Sequence, residues 1–204
     1  MMTRFSNPSR RLLVGMAMVA SLFAWSGPAA SPAAAHEAHA GKMQTFLDTK
    51  LALRQMLPAG DQVVRRKEAL SAASARWVKE ALGVAVDADL YSFFLAKDAS
   101  GAVTGVAMVT EFEYRHGAVS LALGLDPRGR VTQAAVLGIH EAYLPDLMRS
   151  TGKGILPGLA GLDVAGLAAR AGAVNDDDQA GKVVMGRLRD MAAVLAGLDR
   201  QVRP

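Results

Sequence analysis

Hydrophobic and polar residues follow two rhythms along this chain, and each change of rhythm marks an element. From Lys42 to Leu57 the apolar residues Met43, Phe46, Leu47, Leu51, Leu53 and Met56 fall close to the spacing of one helix face, and Pro58-Ala59-Gly60 stops it. Val63-Val64 predicts a short extended piece before Arg65-Arg66-Lys67-Glu68. Ser71 is the expected N-cap of a second helix, with Trp77, Val78 and Leu82 on its apolar side and Gly83 as its stop. The rhythm then becomes that of strands. Leu90 to Ala96 carries Tyr91, Phe93, Phe94 and Leu95, and Lys97-Asp98-Ala99-Ser100-Gly101 is turn chemistry. Val103 to Tyr114 extends the chain again and His116-Gly117 turns it. Val119, Leu121, Leu123 and Leu125 alternate with Ser120, Ala122 and Gly124, which predicts one face buried beneath larger side chains. Asp126-Pro127-Arg128-Gly129 is a type I turn, after which Val131 to Ile139 returns antiparallel. The expected fold class is α+β: an antiparallel four-stranded meander with flanking helices over one face.

Beyond the meander the pattern is helical with one interruption. Thr151 to Gly158 is glycine-rich, Val164 to Ala171 reads as a short helix, and Asp176-Asp177-Asp178 can cap a last one. Val184, Leu188, Met191 and Leu195 make one apolar stripe on that helix, which predicts core.

Composition changes the picture at the N-terminus. Arg10-Arg11 precedes an apolar run from Leu12 to Trp25, and small residues from Ser31 to Ala35 follow, so residues 1–35 read as an export signal. Cleavage after Ala35 leaves His36 first; cleavage after Ala40 is the alternative. Ser9-Arg10-Arg11-Leu12-Leu13 resembles a twin-arginine signal, and adjacent arginines also occur in ordinary leaders. The run is too short for a span of roughly 20 residues, and the mature chain has no transmembrane candidate. Residues 36–44 read as a flexible tail and 45–200 as a single domain, which the 51% apolar content can supply with a core. The leader holds three of the 23 basic residues, leaving 20 against 19 acidic ones, so the net charge of +4 does not indicate nucleic acid. The absence of cysteine excludes disulfides, thiolate metal sites and c-type haem attachment.

Candidate chemistry is concentrated where patterns break. His140-Glu141 puts two ionisable groups at the exit of the last strand, facing either a ligand or water, and Tyr143 follows. Gly152-Lys153-Gly154 is not a P-loop, since no Ser or Thr follows Lys153; it is either a surface loop or a place where amides and a cation meet a phosphate. The histidines His36, His39, His116 and His140 are scattered, which supports a metal site weakly, and the three aspartates are explained by capping.

Leu53 to Val63, Leu90 to Ala96, Gly101 to Val109, Leu125 to Val131 and Val136 to Glu141 occur in an order that resembles the FMN-binding domain family of exported bacterial proteins. That family is related to flavoprotein subunits of membrane electron-transfer complexes, and the resemblance covers roughly residues 47–196. It implies FMN, electron transfer and a redox partner protein in the periplasm. Many members carry Ser-Gly-Ala-Thr before the last helix, with FMN joined to the Thr as a phosphoester. Here Ala171-Gly172-Ala173-Val174 stands at that place, and Val174 has no hydroxyl to esterify. The flavin expected from the resemblance is therefore non-covalent, with His140 and Glu141 at the ring edge and Tyr143 packed on the ring. Gly152, Lys153, Gly172, Ala173 and Val174 would surround the phosphate. The alternative is a flavin-free binding module or a periplasmic metal-binding protein.

Overall fold

The computed structural model describes residues 40–202; the leader reading, with His36 and His39, falls outside the described residues. The class is α+β with an antiparallel sheet, but the sheet has seven strands where the sequence pattern indicates four. They are β1 (Met43–Thr45), β2 (Gln62–Ala69), β3 (Leu90–Lys97), β4 (Val103–Tyr114), β5 (Gly117–Leu125), β6 (Val131–His140) and β7 (Gly154–Ile155). Their order is β1-β6-β5-β4-β3-β2, with β7 also on β6. The expected meander is the β3–β6 centre of this sheet. Among the described residues five helices flank it: α1 (Thr49–Met56), α2 (Ala72–Leu82), α3 (Leu144–Arg149), α4 (Val164–Gly172) and α5 (Gln179–Val202).

The added strands have local causes. Met43 and Gln44, expected in a flexible tail, pair with His140 and Ile139, and the Phe46 and Leu47 amides both donate to the Leu137 carbonyl. The helix therefore begins late, at Thr49, where Asp48 accepts from the Lys50 and Leu51 amides at 2.9 and 3.1 Å. β2 is eight residues long because Arg65, Arg66 and Lys67 continue it as an edge strand, the place where charged side chains face water and deter further pairing. α2 follows its sequence signals closely: the Ser71 hydroxyl accepts from the Ser74 amide, and Gly83 closes the helix at φ 67°. The Asp126 to Gly129 turn also forms, with the Gly129 amide donating to the Asp126 carbonyl.

Both faces of the sheet are covered, not one. On one face Val184, Leu188, Met191 and Leu195 of α5 pack with Leu121, Leu123, Phe93 and Met108. On the other, α1 places Ala52, Met56 and Leu57 on a floor of Ala96, Ala107, Ala122 and Ala135. Small floor residues let the helix lie close: a methyl on Gly124 would stand 2.6 Å from the Met56 Cβ. The Thr132 hydroxyl fixes the same helix end by donating to the Met56 carbonyl at 2.7 Å. No helix among the described residues is long and apolar enough to cross a membrane.

Candidate functional site

The residues singled out by sequence divide between two places. The first is the exit of β6. The Glu141 amide donates to the Lys42 carbonyl at 2.9 Å, and a short 3-10 turn from Glu141 to Tyr143 leads into α3. His140 lies against the β4–β5 turn; its Nδ1 is buried without a hydrogen-bond partner, and a methyl on Gly117 would come within 2.5 Å of it. Tyr143 packs edge-on against Tyr114, with ring centroids 5.5 Å apart. The Arg115 guanidinium stands 5.5 and 5.8 Å from the two ring centroids and 3.3 Å from Asp146. Tyr114 donates to the Asp146 carboxylate at 3.1 Å, and the Tyr143 hydroxyl lies 3.4 Å from the His116 amide that donates to it. Burial first, then the hydrogen bond to Asp146, holds the Tyr114 phenol above its ordinary pKa. Arg115 carries φ 57° in a two-residue hairpin, so the turn is held by these contacts against its own backbone preference. Tyr143 is thus engaged with neighbouring side chains and does not line the cavity described next.

The second place is an open cavity of about 350 Å³ between the 150–159 segment and the α4–α5 connection. Ser150, Thr151, Leu156, Pro157 and Leu159 line one side. Arg170, Ala173, Val174, Asn175, Asp178 and Met185 line the other. The first segment is pinned to the free edge of β6: β7 pairs with Ala135 and Val136, and the Leu156 amide donates to the Ala134 carbonyl at 2.9 Å. Gly152 and Gly154 adopt φ of 80° and 71°, which lets the chain leave α3 and turn onto that edge. Val174 packs its side chain partly on the core, consistent with an apolar residue at that position.

Of the eight residues expected at a flavin, the structure brings Ala173 and Val174 to the cavity wall. Gly152 and Lys153 adjoin the lining residues Ser150 and Thr151 in sequence without lining it themselves, and the Lys153 ammonium sits 5.5 Å from the Phe46 ring centroid. Gly172 is exposed at the end of α4. His140 and Glu141 stay at the β6 exit. Sequence reasoning missed Arg170, Ser150, Thr151 and Asn175; Arg170, the cation of the last turn of α4, was the available signal.

Electrostatics around the cavity is set by the aspartates. Asp178 caps α5, its carboxylate accepting from the Gly181 amide at 2.8 Å and from the Ser150 hydroxyl at 2.6 Å. Asp176 turns outward to Lys182 at 2.6 Å, and that hydrogen bond and charge hold its carboxyl below the ordinary range. The α5 N-terminus, where backbone amides would receive a phosphate, is therefore filled by the chain's own anion. Arg170, Asn175 and Thr151 also line the cavity, while the Ser150 hydroxyl is committed to Asp178. Among the described residues no group of three or more His, Asp or Glu is arranged to hold a metal ion.

Fold and cavity define the class: an antiparallel α+β domain with a polar-and-apolar cavity between the sheet's edge loop and helix α5. No family model, curated protein or solved structure matches the chain.

Proposed function

We propose that this is an exported FMN-binding protein that holds its flavin without a covalent bond and takes part in electron transfer with a redox partner protein, in the periplasm and alongside a membrane complex. The observation that carries the reading is the cavity itself: the 150–159 segment and the α4–α5 connection, which hold or adjoin the residues expected at the phosphate, face each other across about 350 Å³. That volume lies at the small end of ligand sites, so it would hold part of an FMN molecule. Arg170, Thr151 and Asn175 supply a cation and hydrogen-bonding groups for the phosphate. Leu156, Leu159 and Met185 supply an apolar wall for the ring. Bound there, the flavin would supply one- and two-electron chemistry; the chain supplies orientation and electrostatics.

A second reading, a flavin-free binding module of the same fold, is favoured by Asp178, whose charge occupies the helix N-terminus. The two separate on an absorption spectrum of the protein purified from the periplasm, before and after acid precipitation. Bands at roughly 370 and 450 nm that pass into the acid supernatant are expected. Colour that stays in the pellet would overturn the non-covalent part. A colourless protein that also fails to take up added FMN would leave the flavin-free module.

A further inference from the structure

A second, larger groove of about 580 Å³ lies at the other end of α5 and is used by nothing described above. Its floor is apolar: Phe93, Leu125, Leu195 and Leu198 are buried at its base, with Trp77 and Leu95 forming its sides. Its rim is charged, with Arg66, Lys97, Arg128 and Arg200 against Glu68, Asp126 and Asp199. The cations outnumber the carboxylates by one, and Glu68 shares the rim with them. Asp126 turns to its own loop, accepting from the Arg128 and Arg130 amides at 2.8 and 2.9 Å. Arg200 lies over the Trp77 ring at 4.7 Å and extends the groove wall. Among the described residues the side chains of Arg66, Lys97 and Arg128 have no ion-pair partner. Solvated cations around a concave apolar floor are complementary to a molecule with an apolar body and an anionic head.

We propose that this groove is a second ligand site, selective for amphipathic organic anions of cofactor or metabolite size. It is separate from the cavity at the α5 N-terminus. Met185 lines that cavity and Leu195 this groove, ten positions apart on one helix, or about 15 Å at the helical rise. The proposal does not depend on whether the first cavity holds a flavin.

Two fluorescent probes with one apolar body test it. 1-Anilinonaphthalene-8-sulfonate carries a negative charge, and N-phenyl-1-naphthylamine lacks it. The purified protein is expected to bind the sulfonate about tenfold more tightly than the neutral probe. Reversing two rim charges together, Lys97→Glu with Arg128→Glu, should erase that preference while leaving the neutral probe bound. Ala196→Phe, which fills the groove from α5, should weaken both probes. Circular dichroism and urea melting of each variant show whether it is folded, and the charge reversal keeps the test alive if the filling variant is not. Equal affinity for the two probes, or a preference for the sulfonate that survives charge reversal in a folded protein, would overturn the proposal. So would failure of either probe to bind.

Discussion

Asp178 offers a perturbation whose effects on binding and on stability have opposite signs. In Asp178→Ser the cap is retained, since serine is about as good an N-cap as aspartate, but the charge at the cavity is gone. The stability cost comes from the hydrogen bond the Ser150 hydroxyl donates to the carboxylate at 2.6 Å. Charge-assisted bonds contribute about 1.5–3 kcal/mol, and for a half-buried pair a loss of about 1–2 kcal/mol is expected in urea unfolding. The gain in binding comes from relieved repulsion. A phosphate of charge about −2 held at about 6 Å from one carboxylate is disfavoured by roughly 1.4 kcal/mol at the dielectric of water, and by more as water is excluded. Removing that term should tighten FMN binding by about tenfold, read as quenching of flavin fluorescence on titration. Raised salt should shrink the difference, because the wall is open and screening reaches it.

The outcome that would refute this reasoning is a variant that loses stability and also loses flavin affinity. The carboxylate would then be organising the site instead of opposing the phosphate. Unchanged affinity would place the phosphate elsewhere on the molecule. Asp178→Asn provides the control: it removes the charge while keeping an oxygen for the Gly181 amide, so it should follow the serine variant in binding.

Other consequences concern the frame that carries the cavity. Gly124→Ala would gain about half a kcal/mol from reduced chain entropy, but its methyl meets the Met56 Cβ and the Thr132 hydroxyl at 2.6 Å each; a net loss of about 1–3 kcal/mol by urea unfolding is expected, and a neutral or stabilised variant would mean that α1 does not rest on that glycine. Leu188→Ala, at a side chain with no exposure, should cost about 2–5 kcal/mol in the same assay, and less than 1 would contradict its place in the core. Tyr114 is raised in the folded state, so its share of stability is full below the unfolded tyrosine pKa of about 10 and is lost as pH climbs through the folded value. Stability should therefore fall on the alkaline side, and Tyr114→Phe should lessen that fall without abolishing it, since Tyr91 is raised as well by burial and by Asp87 and Asp89. A slope unchanged by Tyr114→Phe would remove the buried phenol from the account.

What could be read in advance was what the chain encodes locally. α2 carries its cap, its apolar side and its stop within a dozen residues, and α5 carries an unbroken stripe; both formed as the pattern indicates. The central strands announced themselves by alternation and by the Asp126 turn. β2 did not, because an edge strand with a single neighbour has little to bury, and Arg65-Arg66-Lys67 has the composition of a solvated run. β1 was hidden differently. Met43, Phe46 and Leu47 fit a helix spacing, and what overrides it is the unpaired edge of β6, a partner almost a hundred residues away. The alternation in β5 was also legible, but its meaning was half caught. Ala122 and Gly124 mark a second covered face, where a helix approaches too closely for larger side chains.

The same distinction governs the site. Ala173 and Val174, which line the cavity, were named through a resemblance that sets them before the last helix, and a missing hydroxyl can be read from a single letter. Arg170, Ser150, Thr151 and Asn175 were not, because they meet only when the 150–159 segment is laid along β6 by backbone bonds to Ala134, Ala135 and Val136. Nothing in a glycine-rich stretch states which edge it will follow. The acidic triplet shows both limits at once. That an aspartate would cap α5 follows from residue type and position. That this aspartate would also bind Ser150, and so join the cap to the cavity wall, follows only from the fold. The charge that stabilises the helix start is thereby the charge that any phosphate entering the cavity must contend with, so helix stability and anion affinity at this place are coupled through a single side chain.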